Sequence, residues 1–388
     1  MSNITAIDKE YVANTYNRFP IEISHGKGSE VFDTDGKRYI DMGTGIGVTA
    51  FGISDDEWKN AVVEQLSKVQ HMSNLYYTEP CARLAKLICE KTGMSKVFFG
   101  NSGAEANECA IKVARKYAAD KKGSDYYTII TLENSFHGRT LTTLAATGQE
   151  HYHELFQPLT PGFVHTPAND FEALKKTAKQ HKTAAIMIEC IQGEGGVIPL
   201  DADFVKKTAE YANENDIILI VDEVQTGNGR TGELYAYMNY GIKPDVVSTA
   251  KGLGGGLPIG AVLLSAKVQN VLGFGDHGST FGGNPVSSAG AVSILERIDD
   301  KLLEEVKAKS KYIFDSLIGA EGVESVSGMG LMIGIKTKKP AGGVVKACME
   351  KGVLCLTAKD KVRLLPSLNI PQNILEEAIN IIKSVCAE

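Results

Sequence analysis

The run Ile217-Ile218-Leu219-Ile220-Val221, closed by Asp222-Glu223-Val224-Gln225, constrains this chain more than any other segment. An unbroken apolar run bounded by turn signals predicts a strand buried on both faces, and such strands belong to parallel sheets covered by helices. The shorter run Val246-Val247-Ser248-Thr249-Ala250 reads the same way and ends on Lys251, which Gly-Leu-Gly-Gly-Gly follows. An acid at the carboxyl end of one strand and a lysine at that of the next meet at one sheet edge. Open α/β folds bind their ligands there.

A desolvated lysine forms Schiff bases, and a carboxylate facing a pyridine nitrogen keeps that ring protonated as an electron sink. The pair Asp222 and Lys251 is therefore expected to form a pyridoxal phosphate site. A hydrophobic strand ending in Asp-Glu also occurs in phosphate-loop ATPases, but their G-x-x-x-x-G-K-[ST] loop is absent from the sequence. A glycine-flanked lysine alone is usually a solvated loop residue. The order of the segments gives the pair its weight.

At 388 residues the chain can build two packed cores. A net charge of −6 argues against nucleic acid or an anionic membrane as the main partner. No apolar run approaches bilayer length, and the opening Met-Ser-Asn-Ile-Thr-Ala-Ile-Asp lacks a signal-peptide profile. Seven cysteines without a C-x-x-C pair suggest neither a disulfide framework nor a zinc site. The expectation is a reduced, cytoplasmic enzyme with no metal.

Glu30–Asp33 and Arg38–Asp41 flank an Asp-Gly step, which predicts a hairpin. From about Asp55 helices and short apolar strands alternate. Helices are expected over Asp56–Val69, Pro80–Lys91 and Ala104–Ala119, and strands over Lys96–Phe99, Tyr127–Leu132, Ala185–Cys190 and Ile217–Val221. That alternation implies a mostly parallel sheet between helices. One long helix is expected between Gly290 and Ile318. Beyond it, short strands are expected at Leu331–Ile335, Val353–Leu356 and Val362–Leu365. The expected organisation is a large ligand-binding domain over 55–290, with a smaller α+β domain built from 1–54 and 291–388.

Four further segments suit a phosphate-bearing pyridine. Gly100-Asn101-Ser102-Gly103-Ala104 is a small-residue turn between strand and helix, where free N–H groups bind phosphate; an ordinary capped helix is the plainer reading. In Ser135-Phe136-His137-Gly138-Arg139-Thr140 the aromatic ring suits one face of the pyridine, with Val224 closing the other. Arg139 suits a substrate carboxylate. In isolation, Phe136 would be a core residue and Arg139 a surface charge. Glu189-Cys190-Ile191-Gln192-Gly193-Glu194 carries two acids at a strand end, either of which can be merely a loop acid. Gly278-Ser279-Thr280-Phe281-Gly282-Gly283-Asn284-Pro285 offers hydroxyls to a phosphate, or is a plain glycine turn.

Together, and in this order, these segments resemble the class III pyridoxal phosphate aminotransferases of fold type I, from near Tyr11 to the C-terminal helix. Within that class the likeness is strongest to the acetylornithine aminotransferases. The resemblance implies a homodimer with shared active sites. Lys251 would hold the cofactor covalently and move the proton, Asp222 would pair with the ring nitrogen, and Gln225 would contact the ring hydroxyl. Ser102, Gly103 and Ala104 would hold the phosphate, with Ser279 and Thr280 completing the neighbouring subunit's site. Arg139, helped by Tyr16, would bind the α-carboxylate of N-acetylornithine, and Arg363 that of glutamate.

The resemblance also frames a two-substrate problem. Glutamate brings a carboxylate to the reacting carbon, whereas acetylornithine reacts through a terminal amine whose carbon carries none. By resemblance Glu194 pairs with Arg363 in one half-reaction and releases it in the other. Ile46 stands where ornithine aminotransferases carry a tyrosine for a free α-amino group, and an apolar residue there suits an acylated amine. Succinylornithine, succinyl-diaminopimelate and ornithine or ω-amine chemistry remain alternatives, as do an aminomutase and a non-catalytic binding module. The chain departs from the family pattern at Gly52-Ile53-Ser54-Asp55-Asp56, where Gly-His-x-His-Pro is usual, and at Glu189-Cys190, where Glu-Pro is usual.

Overall fold

The computed structural model describes residues 3–388. Its centre is a seven-stranded sheet in the order Lys96–Gly100, Gly260–Leu264, Val246–Thr249, Ile218–Asp222, Thr183–Ile188, Thr128–Leu132 and Phe163–Thr166. Gly260–Leu264 runs antiparallel to both its neighbours, and the other adjacent pairs are parallel. Every residue of Thr128–Leu132, Thr183–Ile188 and Ile218–Asp222 is buried, as continuous apolar runs require when helices cover both faces. Because these strands are parallel, their carboxyl ends all reach one edge, and the loops beyond them converge there.

The helix Gly103–Lys122 shows how sequence sets this layering. Ser102 caps it by accepting the Glu105 N–H at 3.1 Å, and Lys121 and Lys122 sit in its last turn, where cations suit the helix dipole. Ala106, Cys109, Ala110, Val113, Ala114 and Tyr117 recur on one face and are buried against the sheet. Small residues on that stripe let the helix lie close to the strands.

Two four-stranded sheets flank the central one. The expected hairpin forms as Glu30–Asp33 against Arg38–Asp41, within a sheet that Ile23–Lys27 and Val353–Leu354 complete. The second holds Val323–Met329, Met332–Thr337, Lys361–Leu364 and Leu356–Ala358. Two expectations need correction here. The strand expected over Val353–Leu356 is divided: Val353 and Leu354 pair with Ile40 and Asp41, whereas Leu356 to Ala358 pair with Lys361 to Arg363. Buried Cys355 is the one residue between them. The long helix expected between Gly290 and Ile318 is two helices, Pro285–Arg297 and Asp300–Leu317. Asp299 breaks the run by capping the second, accepting the Leu302 N–H at 2.8 Å.

Smaller shifts fall at element ends. The strand expected to reach Cys190 stops at Ile188, which frees Glu189 for the sheet edge. At the unusual Gly52–Asp56 segment, Asp55 caps the helix Asp56–Leu66 and pairs with Arg297 at 2.8 Å. That departure from the family pattern thus supplies a helix start and an ion pair. All seven cysteines are free thiols, and among the described residues no cluster fit for a metal occurs. No helix among them is long and apolar enough to cross a membrane.

Candidate active site

A cavity of about 600 Å³ opens over the carboxyl edge of the central sheet. Its lining includes Ser102, Phe136, Glu189, Asp222, Val224 and Lys251, which come from the ends of five strands, Asp222 and Val224 sharing one. Gly103 and Ala104 line it too, at the start of the 20-residue helix. The first amides of a helix have no intrahelical partner, so their N–H groups face an anion placed there. A Cβ at Gly103 would stand 2.6 Å from Val224 Cγ1, so only glycine lets this turn and Val224 close on one another. Asn101 is tied back by its N–H and its side-chain amide, which both donate to Glu105 Oε2, at 2.7 and 2.8 Å.

Asp222 is buried at the floor of the cavity. Its Oδ2 accepts from Asn107 Nδ2 and His137 Nδ1, each at 2.8 Å, and its Oδ1 accepts the Val224 N–H at 3.0 Å. A carboxylate only accepts, so the imidazole proton sits on Nδ1. The buried Nε2 of His137 and Oδ1 of Asn107 have no partner among the described residues. These donors fix the plane of the carboxylate. Neither Asn107 nor His137 is assigned a role by the sequence reading. A signal was available: Asn107 lies one turn after Gly103, and His137 sits between two residues already singled out.

Glu189 accepts the Phe136 N–H at 3.0 Å and so anchors the aromatic loop. Burial first, and the nearby Asp222 charge second, push its carboxyl well above the usual carboxylate range. Its partner acid Glu194 behaves oppositely. Burial is the largest influence and would raise it, but the charge and hydrogen bond of Arg363, with Lys251 and Gln225, outweigh burial and hold it below the ordinary value. The two acids left open by the sequence are thus distinguished by their surroundings.

Lys251 follows the strand Val246–Thr249 with φ of +45°, a left-handed conformation that costs a non-glycine residue energy and that recurs at functional positions. Desolvation is the main influence on its amine and lowers its pKa; Glu194 opposes that shift, and Arg363 adds to it. More of the amine is therefore neutral near pH 7 than in a solvated lysine.

Two arginines frame the site differently. Arg363 is buried, and its Nη1 donates to Glu194 Oε1 at 2.6 Å and to Gln225 Oε1 at 3.1 Å. Its Nη2 reaches Glu194 Oε2 at 3.4 Å. Glu194 and Gln225 line the cavity, so they stand between it and the guanidinium. Arg139 also lines the cavity but is exposed, and among the described residues no carboxylate pairs with it. Gln225, expected at a ring hydroxyl, spends both ends of its amide on this cluster, donating to Glu194 at 3.3 Å.

Four expected residues lie at the margin. Tyr16 lines the cavity and is 70% exposed. Ile46, 42% exposed, lines a neighbouring apolar cavity of about 510 Å³ that Tyr16 shares. Ser279 and Thr280 do not line the cavity of their own chain; Ser279 Oγ accepts from Asn101 Nδ2 at 3.1 Å.

The residues present fit pyridoxal phosphate. A helix start without a Cβ at Gly103 suits the phosphate, an oriented buried acid suits the ring nitrogen, and a desolvated amine suits the aldehyde. Ring-sized walls stand at Phe136 and Val224.

Comparison with known proteins agrees. Residues 11–386 match the family described as aminotransferase class-III. The chain is 50% identical to the acetylornithine aminotransferase of Haemophilus ducreyi over 387 residues, covering 99% of this chain and 98% of that one. It is 44% identical to that of Methanocaldococcus jannaschii, covering 98% and 97%. Among solved structures, N-acetylornithine aminotransferase from Stenotrophomonas maltophilia matches with a TM-score of 0.85 and 33% identity, over 98% of each chain. Ornithine aminotransferase from Toxoplasma gondii matches with a TM-score of 0.95 and 31% identity, over 99% of this chain and 94% of that one. The chain belongs to the class-III aminotransferases, pyridoxal phosphate-dependent enzymes with the fold just described.

Proposed function

We propose that this protein transfers the δ-amino group of N-acetylornithine to 2-oxoglutarate, giving N-acetylglutamate 5-semialdehyde and glutamate, as a cytoplasmic step of arginine biosynthesis. The observation that carries this reading is the pair of unlike arginines, one bare and one covered by an acid. A donor with a carboxylate far from its reacting amine needs a bare cation at a distance. An acceptor with a carboxylate on the reacting carbon needs a second cation, which must be neutralised when the donor occupies the site.

Bound pyridoxal phosphate supplies an aldehyde for amine capture and a cationic ring that takes up electrons. Lys251, whose amine pKa is lowered by desolvation, would hold the cofactor's aldehyde and, once released by the donor, would act as the base that takes the proton from the donor's reacting carbon. Asp222, oriented by Asn107 and His137, would pair with the ring nitrogen and keep it cationic. Ser102, Gly103 and Ala104 would hold the phosphate, and Phe136 and Val224 the ring. Arg139 with Tyr16 binds the distal carboxylate of N-acetylornithine, and Ile46 accommodates the acylated amine. Arg363 binds the α-carboxylate of glutamate once Glu194 swings aside.

A homodimer belongs to the same reading. Leu75, Tyr76, Tyr77, Phe274 and Phe281 are exposed on segments joined by Asn74, which donates to Ser279 O at 2.9 Å and Gly282 O at 3.0 Å. A second copy covering these apolar residues would bring Ser279 and Thr280 to its own phosphate. The proposed domain organisation is that expected from the sequence, 55–290 against 1–54 with 291–388, except that the helix Pro285–Arg297 packs on Asp56–Leu66 and Glu79–Thr92 and so belongs whole to the large domain.

Two measurements test this. In a donor screen, N-acetylornithine is expected to give a kcat/KM at least tenfold above ornithine, succinylornithine, succinyl-diaminopimelate and 4-aminobutyrate; a higher value for any of these moves the assignment to that donor. In single-turnover half-reactions, Glu194→Ala is expected to leave the glutamate half within about threefold of wild type while slowing the acetylornithine half roughly 30-fold or more. A buried guanidinium stripped of its partner costs about 3–5 kcal/mol, and only the acetylornithine half leaves Arg363 unpaired. Equal losses in both halves would rule the switch out.

A further inference from the structure

Among the described residues no carboxylate pairs with Arg139, so something else must hold its long side chain at the cavity. Its guanidinium carbon lies 4.6 Å from the ring centre of Tyr152 and 5.8 Å from that of Phe136. The two rings meet edge to face, with centres 5.8 Å apart and planes at 67°. Tyr152 ends a short helical turn, Glu150–Tyr152, and is half-buried.

The loop carrying Tyr152 is fastened to the loop carrying Phe136 and Arg139. Asn134 N–H donates to Gly148 O at 2.7 Å, and Gly148 N–H to Ser135 Oγ at 3.0 Å. Gln149 Nε2 donates to Ser135 O at 3.0 Å, and His137 N–H to Thr147 Oγ1 at 2.9 Å. His153 Nε2 donates to Leu144 O at 2.9 Å, which pins the far side of Tyr152. These bonds lace the two loops together, so the ring has a defined place.

We propose that Tyr152 is a positioning residue for Arg139: its ring holds the guanidinium at the cavity without neutralising it, leaving the charge available to the distal carboxylate of the donor. An acid in the same place would align the arginine equally well but consume the charge. An aromatic face attracts the cation while leaving the N–H donors in its plane unspent. The proposal rests on the reading of Arg139 as the carboxylate anchor.

The test compares holoenzyme variants with two donors, N-acetylornithine and N-acetyl-1,4-diaminobutane, which is the same molecule without its carboxylate. Where the second donor turns over too slowly to follow, its Ki as a competitive inhibitor replaces its KM. Tyr152→Leu is expected to raise the KM for N-acetylornithine about tenfold with kcat within twofold of wild type, and to leave the second donor unchanged. Tyr152→Phe keeps the ring and is expected to match wild type. A loss shared by both donors, or no change with Tyr152→Leu, overturns the proposal. Arg139→Ala separates it from the underlying reading. If that variant leaves the KM for N-acetylornithine unchanged, the anchor itself is wrong; if its KM rises while that of Tyr152→Leu does not, only the role of Tyr152 fails.

Discussion

Lys251→Ala is expected to reduce kcat/KM by roughly 10⁴-fold or more. General acid–base catalysis by a positioned side chain contributes about 10²–10⁴, and on the proposed reading the same amine would also tether the cofactor. Its surroundings support this dual use. The left-handed backbone at Lys251 spends local strain at a residue that lines the cavity, and desolvation lowers the pKa of its amine. Folding should survive the change, because removing the amine relieves a buried charge. The check is borohydride reduction of wild-type holoenzyme, followed by peptide mapping. A label at any residue other than 251, or activity in Lys251→Ala within tenfold of wild type, would defeat the assignment.

Asp222→Ala should lower kcat by about 10³-fold and also weaken the fold. On the proposed reading the catalytic loss follows from removing the anion that would face the ring nitrogen, which would leave the ring a poorer electron acceptor. The structural loss follows from the hydrogen bonds: Asn107 Nδ2 and His137 Nδ1 both donate to Asp222 Oδ2 inside a buried cluster. Stranding buried donors costs about 1–3 kcal/mol each. Thermal unfolding without cofactor should therefore show a lowered Tm, separately from the kinetic defect. Asp222→Asn keeps the volume but sets an amide against those donors, and should fall close to alanine in rate. A rate within tenfold of wild type for either variant would show that Asp222 does not face the ring nitrogen.

The parts of the site legible in the sequence share one physical origin. Strands buried on both faces appear as continuous apolar runs, and parallel pairing brings all their ends to one edge. Asp222, Lys251, Ser102 and Glu189 could therefore be grouped without knowing a single contact. What stayed hidden depends on convergence across the chain. Asn107 reaches Asp222 from a helix more than a hundred residues earlier, and Tyr152 reaches Arg139 only because two loops are laced together. Local competition hid other features: Asp299 as a helix cap outbids the apolar periodicity around it, and Cys355 turns what looks like one strand into two. Tyr16 and Ile46 lie at the exposed rim of the site, and Ser279 and Thr280 would serve a site only on the proposed dimer.

The division at Cys355 carries a mechanical consequence. Val353 and Leu354 are bonded to Ile40 and Asp41 of the hairpin Glu30–Asp41, and two positions later Leu356 is in register with Arg363. The two sheets are linked in series with no slack between them. Trimming or rigidly tethering the amino-terminal hairpin should therefore be felt at glutamate recognition, some three hundred residues downstream, before it is felt at the cofactor.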